Sequence, residues 1–193
     1  MEGRIIMKNT RRNLLKLTAA SLLTVSLGNA FAQVNNSRKT LIVFFSWSGN
    51  TRSIARQIHE KVGGDLVELE LVRPYSSNYN TCLDEAKRDQ ERAARPELKT
   101  RIENIAQYDT ILIGYPNWWA TIPMPIATFL DQYDLSGKTI LPFCSHGGGR
   151  LGQSVSDITK MEPQATVKEG LSVHYSGGRS LSEDIDTWLA NNL

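Results

Sequence analysis

The chain is poor in the residues that build metal and disulfide frameworks. Its 193 residues include two cysteines, Cys82 and Cys144, and three histidines, His59, His146 and His174. Two thiolates cannot fill a four-thiolate zinc site and no H-E-x-x-H spacing supplies the rest, so no metal is expected. An excess of basic charge is also missing from the body of the chain. The formal net charge is +2, but residues 1–32 hold five basic side chains (Arg4, Lys8, Arg11, Arg12, Lys16) against Glu2, which leaves 17 basic and 19 acidic side chains, a net of −2. A mildly acidic body argues against nucleic acid as a partner, which calls for a basic stripe. The most apolar run, residues 17–27, is too short for a permanent membrane span. Position 46 is serine, so Ser48 lacks the G-x-S-x-G setting of a hydrolase nucleophile. Gly137-Lys138-Thr139 imitates the end of a P-loop, but Gln132 stands where that loop needs glycine. There is no internal repeat. A hydrophobic share of 40% with 22% charged residues is ordinary for one globular domain.

The N-terminus reads as an address. Arg11-Arg12, Leu14-Leu15 and Lys16 precede the apolar run, and Ala30-Phe31-Ala32 places small residues where a signal peptidase cuts. Residues 1–32 are therefore expected to be a signal peptide. The paired arginines resemble the twin-arginine export signal, which carries folded proteins; a plain secretory signal with two arginines is the alternative. The mature chain would start near Gln33, exported and periplasmic in a Gram-negative source, and no cysteine follows the cut to take a lipid anchor.

Beyond a polar leader at 33–39, Leu41 to Phe45 is short and wholly apolar, the pattern of a strand buried on both faces. Asn50 or Thr51 can cap a following helix that carries Ile54, Ala55, Ile58 and Val62 on one face and ends at Gly63-Gly64. Leu66 to Val72 alternates, which predicts an edge strand with one wet face. Residues 73–96 form a long polar insertion, with Tyr75, Tyr79, Cys82 and a charge-rich stretch from Asp84 to Arg95 suited to a solvated helix. A short helix is expected at 97–106, a buried strand at 110–114, a helix at 123–133, a strand at 139–144, a helix at 153–161, a strand at 167–171 and a terminal helix faced by Leu181, Ile185, Trp188 and Leu189. Five alternations specify an α/β domain over 40–193: three layers around a doubly wound, five-stranded parallel sheet. Pro142 inside the fourth strand conflicts with a central position and suggests a bulge.

Ligands of such sheets collect at the carboxyl ends of the strands. Three loops there are unusual. Ser46-Trp47-Ser48-Gly49-Asn50-Thr51 joins hydroxyls, a glycine and a helix start directly after the central strand, the makings of a phosphate nest. A tight turn with an N-cap accounts for only part of it. Tyr115-Pro116-Asn117-Trp118-Trp119-Ala120-Thr121 has two adjacent tryptophans that cannot both enter one core, so a flat heteroaromatic ligand would give one a partner. Ser145-His146-Gly147-Gly148-Gly149-Arg150 exposes backbone that a ligand can approach closely.

In this order, after strands one, three and four, the loops resemble the cofactor loops of the flavodoxin-like family, across about residues 40–190. The resemblance implies noncovalently bound FMN, strand order 2-1-3-4-5, and electron or hydride traffic through the flavin. It assigns the phosphate to Ser46, Ser48, Gly49, Asn50 and Thr51, with Trp47 near the phosphate or ribityl chain. It places Pro116, Asn117, Trp118, Trp119 and Ala120 beside the ring, and Ser145, His146, Gly147, Gly148 and Gly149 at the ring's polar edge.

One departure bears on function. Electron-shuttle flavodoxins are strongly acidic around the flavin, whereas this chain is nearly neutral, with His146 and Arg150 in its third loop. Glycine-rich third loops also occur in flavodoxin-like quinone reductases, and His146 is the one side chain nominated to give a proton to a reducing quinone; a histidine merely bonded within its loop is the alternative. The expected function is an exported FMN-binding redox protein whose donor and acceptor are a protein partner or a quinone. An NAD(P)H-dependent quinone or FMN reductase stands second, and a flavin-free binding module on the same fold third. His59 and His174 are given surface or packing roles, a Cys82–Cys144 disulfide is a candidate, and nothing fixes an oligomeric state.

Overall fold

A computed structural model describes residues 39–193 of the chain. The signal read at 1–32, and all of the polar leader except Lys39, lie outside the described residues.

The sheet grows outward from β1 (Thr40–Phe44), whose last four residues are buried on both faces. β1 pairs in parallel with β2 (Asp65–Glu68) on one side and with β3 (Thr110–Pro116) on the other. β3 pairs with β4 (Thr139–His146), and β4 with two short strands, β5 (Thr166–Val167) and β6 (Leu171–His174). The order is 2-1-3-4-5, with β6 continuing along β4 beyond β5. Because the strands are parallel, each return needs a crossover, and those crossovers are α1 (Asn50–Val62), α2 (Tyr79–Glu91), α3 (Met124–Gln132) and α4 (Ser154–Met161), while α5 (Leu181–Asn192) follows the last strand.

Side-chain alternation along β1 divides the core. Ile42 and Phe44 face α1 and α5 through Ile54, Ile58, Ile185 and Trp188. Leu41, Val43 and Phe45 face the opposite layer, where Ile126, Phe129 and Leu130 of α3 and Ile158 of α4 pack. This is the three-layer, doubly wound α/β fold expected from the pattern, and the terminal helix buries the four residues read for it.

Several local expectations need correction. The helix expected at 97–106 does not form. Instead Val72 donates to the Glu97 carbonyl and Lys99 to that of Glu70, so Leu98 bridges Leu71 in antiparallel fashion and the alternation after Glu68 continues outside the sheet. Only a 3-10 turn, Ile105–Gln107, remains of the expected helix. The stretch read as an insertion at 73–96 holds the crossover helix α2 itself, which starts at Tyr79 where the Asn78 side chain accepts from Thr81 N–H. The strand expected at 167–171 is two strands, broken over residues 168–170. That break resolves the Pro142 conflict. The Ile140 carbonyl accepts from Lys168 on the outer side, so Pro142, two residues on, turns its missing N–H toward the same side, where no strand residue is paired with it. Pro142 is thus neither on an edge strand nor in a bulge of its own. The two cysteines are free and buried, so the candidate disulfide is absent: Cys144 lies in β4 and Cys82 in α2.

Candidate functional site

The three loops meet at the carboxyl end of β1, β3 and β4, and one residue ties them together. Ser145, at the end of β4, hydrogen-bonds through its hydroxyl to Thr51 of the first loop at 2.9 Å, and its carbonyl accepts from the N–H of Asn117 in the second. Both hydroxyl residues are buried. The second and third loops are joined again where Asn117 Nδ2 donates to the Arg150 carbonyl. The scaffold therefore holds the loops in a fixed relation.

In the first loop Gly49 adopts φ +90°, the left-handed turn that lets α1 begin directly behind β1. Neither Asn50 nor Thr51 caps this helix, contrary to expectation. Gly49 occupies the cap position and has no side chain to bond the first turn. The Ser46 hydroxyl accepts from Arg52 N–H at 3.2 Å. The N–H groups of Asn50 and Thr51 and the positive dipole end are left for an external acceptor. Ser48 stands exposed beside them.

The second loop separates its tryptophans. Trp118 packs edge-on against Phe45 at 5.5 Å and Tyr75 at 5.3 Å. Trp119, with φ +52°, turns outward to α2, its indole donating to the Leu83 carbonyl and its ring lying under Lys87. Ala120 is also left-handed, and its carbonyl accepts from Gln153 N–H, which fixes the approach to α4. Pro116 closes β3 opposite Ser145.

In the third loop Gly148, at φ +139°, donates its N–H to His146 Nδ1 at 3.0 Å. Nδ1 is then the bare nitrogen of the neutral ring and Nε2 carries the hydrogen. His174 lies opposite His146 in register, ring to ring at 5.6 Å, and the Tyr175 ring packs at a tilt against His174. Burial, His174 and Arg150 all disfavour the imidazolium, so His146 titrates below its ordinary 6.5. Gly147 faces the Tyr175 ring and Gly149 the Asn117 amide.

Sequence reasoning missed the other side of the first loop. A cleft of about 810 Å³ opens between Ser46, Trp47 and Ser48 and the chain following β2, walled by Phe45, Tyr75 and Pro74. Trp47 donates to the Ser76 carbonyl, and Tyr75 donates to Asp89 of α2, so the segment after β2 is pinned as the cleft's outer wall. Arg52 and Glu68 form a two-pronged ion pair along the cleft, at 2.7 and 2.6 Å. The tyrosine was visible as an aromatic in a polar stretch; the pairing of α1 with the end of β2 had no local signal.

Known proteins share this fold. A protein of Bacteroides eggerthii, described as a candidate flavoprotein, superposes with a TM-score of 0.71 at 33% identity, covering 80% of this chain and 97% of its own. A flavoprotein of Lactobacillus acidophilus crystallised in complex with FMN gives 0.62 at 26% identity, over 79% of this chain and 99% of that one. An NAD(P)H dehydrogenase (quinone) of Azorhizobium caulinodans is 27% identical over 157 residues, covering 75% of this chain and 76% of the relative. The family model described as flavodoxin matches residues 39–192. Strand order, loop placement and that match, which spans nearly every described residue, make this chain a member of the flavodoxin family.

Proposed function

We propose that the chain binds FMN noncovalently in the three-loop site and passes electrons through it. The observation that carries the reading is the start of α1 at a glycine cap, with the N–H groups of Asn50 and Thr51 left over and the Ser46 and Ser48 hydroxyls lining the cleft after the central strand. This donor set fits a phosphate: free helix-start N–H groups, two hydroxyls and a dipole end, with no carboxylate in the loop. The family's flavoprotein with bound FMN supports the same assignment. Ser46, Trp47, Ser48, Gly49, Asn50 and Thr51 would hold the phosphate and ribityl end, Thr51 through the brace to Ser145. Pro116, Asn117, Trp118, Trp119 and Ala120 would border the ring on one side, and Ser145, His146, Gly147, Gly148 and Gly149 on the other. When bound, FMN supplies the electron carrier that no side chain offers.

The protein residues orient and exclude. Trp118, wedged between Phe45 and Tyr75, offers a rigid apolar border. The third loop presents backbone, and His146 presents an Nε2–H. Because its surroundings disfavour the imidazolium, His146 serves a reducing quinone as an acid chiefly below pH 6.5, and above it donates a hydrogen bond as the neutral ring. The quinone dehydrogenase relative favours a second reading, an NAD(P)H-dependent quinone reductase. The twin-arginine-like leader favours an exported protein that takes up its cofactor before export, with a redox partner outside the cytoplasm.

A visible absorption spectrum tests the core of this. Protein purified from the cytoplasm, with and without its first 32 residues, is expected to carry flavin bands, to retain added FMN and to release riboflavin. A colourless protein that refuses FMN rejects the flavin reading and leaves the flavin-free binding module.

A further inference from the structure

Arg52 follows the phosphate loop by one residue, on the first turn of α1. Its Nε and Nη2 are both occupied by Glu68, the last residue of β2. Its Nη1 points elsewhere, to within 3.7 Å of where a side chain on Gly49 would begin, and among the described residues it has no acceptor. Arg52 lines the same cleft as Ser46 and Ser48. A half-exposed ion pair contributes little to stability by itself, yet this one uses the planar fork of arginine to immobilise the guanidinium beside a helix start whose cap position is a glycine. The cleft's other charges are also paired, Lys99 with Glu70, so they compete little for an anion.

We propose that Arg52 is a further anion contact of this site: Glu68 holds two of its nitrogens and so aims the third at a phosphate seated on the Ser46–Thr51 loop. The proposal rests on the flavin reading above. It adds to backbone and hydroxyl recognition one positive charge whose position is set by β2. Such a contact discriminates phosphorylated from unphosphorylated flavin, because a charge-assisted bond to a dianion has no counterpart in riboflavin.

The test titrates the full chain with FMN and with riboflavin, following quenching of flavin fluorescence. Arg52→Ala is expected to weaken FMN by about tenfold and riboflavin by less than about twofold. Arg52→Lys is expected to resemble Arg52→Ala, because one ammonium can face Glu68 or the phosphate but does not bridge them as the fork does. Arg52→Gln, neutral but able to hydrogen-bond Glu68, replaces the alanine variant should that one not fold. Equal effects on both flavins, no effect on FMN, or full recovery by lysine overturns the proposal while leaving the flavin reading intact. A wild-type chain that binds no FMN overturns both.

Discussion

Gly114 sits in β3 opposite Phe143 of β4, and the ring of Phe143 occupies the space a side chain would take. Three ring atoms would collide with a methyl group there. Gly114→Ala is expected to lower stability by about 1–3 kcal/mol, read as a reduced urea midpoint at unchanged slope. Gly178→Ala, which meets nothing, is the matched control, expected within about 0.5 kcal/mol of wild type. His146 gives a second prediction at this scale. With its folded-state pKa below 6.5, the unfolded chain takes the proton first, so His146 costs nothing above pH 6.5 and costs stability as the pH falls from there through its folded value. An NMR titration should place His146 below 6.5, and His174→Gln should move it upward by removing a neighbouring charge. The residue types of the third loop were legible because glycines and a histidine stand out in a chain with few histidines. The partnership of His146 with His174 was not, since it depends on the register between β4 and β6, separated by α4.

Among the elements, α4 ends on a buried carboxyl. Burial, then Asp134 and Asp131 near the end of α3, raise Glu162 to about 7, and the negative end of its own helix acts in the same direction. An acid whose pKa is raised on folding is neutral in both states below 4.5 and costs stability as the pH rises from there to about 7. Glu162→Gln is therefore expected to stabilise the protein at pH 8 by on the order of 2 kcal/mol and to do nothing at pH 4, by chemical denaturation at the two pH values. The elements α1, α3, β1 and β3 were readable to within a residue or two, and α5 by its buried face. The stretch at 97–106 misled because Leu98, Ile102 and Ile105 keep helical spacing while the backbone of 97–99 is taken by Glu70 and Val72. Thr100 strengthens that choice, its hydroxyl donating to the Glu68 carbonyl and accepting from Glu70 N–H. A tertiary pairing that beats local preference leaves no mark in the residues themselves. The start of α2, by contrast, was signalled by Asn78 and Thr81 and passed over.

For the whole molecule, a ligand that binds only the folded state adds RT ln(1 + [L]/Kd) to stability. FMN at a hundredfold excess over its Kd should add about 2.7 kcal/mol and raise the melting temperature, while riboflavin at the same concentration should raise it less. A thermal scan with each flavin measures this. The layer order and strand order were legible because alternation of strand and helix, with parallel neighbours, leaves few topologies. What was not legible is the cleft beside the first loop, which exists only because the chain after β2 runs out of the sheet and is pinned to α2 through Tyr75 and Asp89.

The interrupted fifth position of the sheet has a consequence for how molecules meet one another. An open sheet offers its outer strands as templates for strands of other chains, and the hazard grows with the length of the unbroken edge. Here one border is β2, of four residues, and the other is β5 and β6, of two and four, separated by residues that break the ladder. Neither border presents a long continuous row of free backbone groups, so the break that accommodates Pro142 also makes the sheet a poor seed for edge-to-edge aggregation.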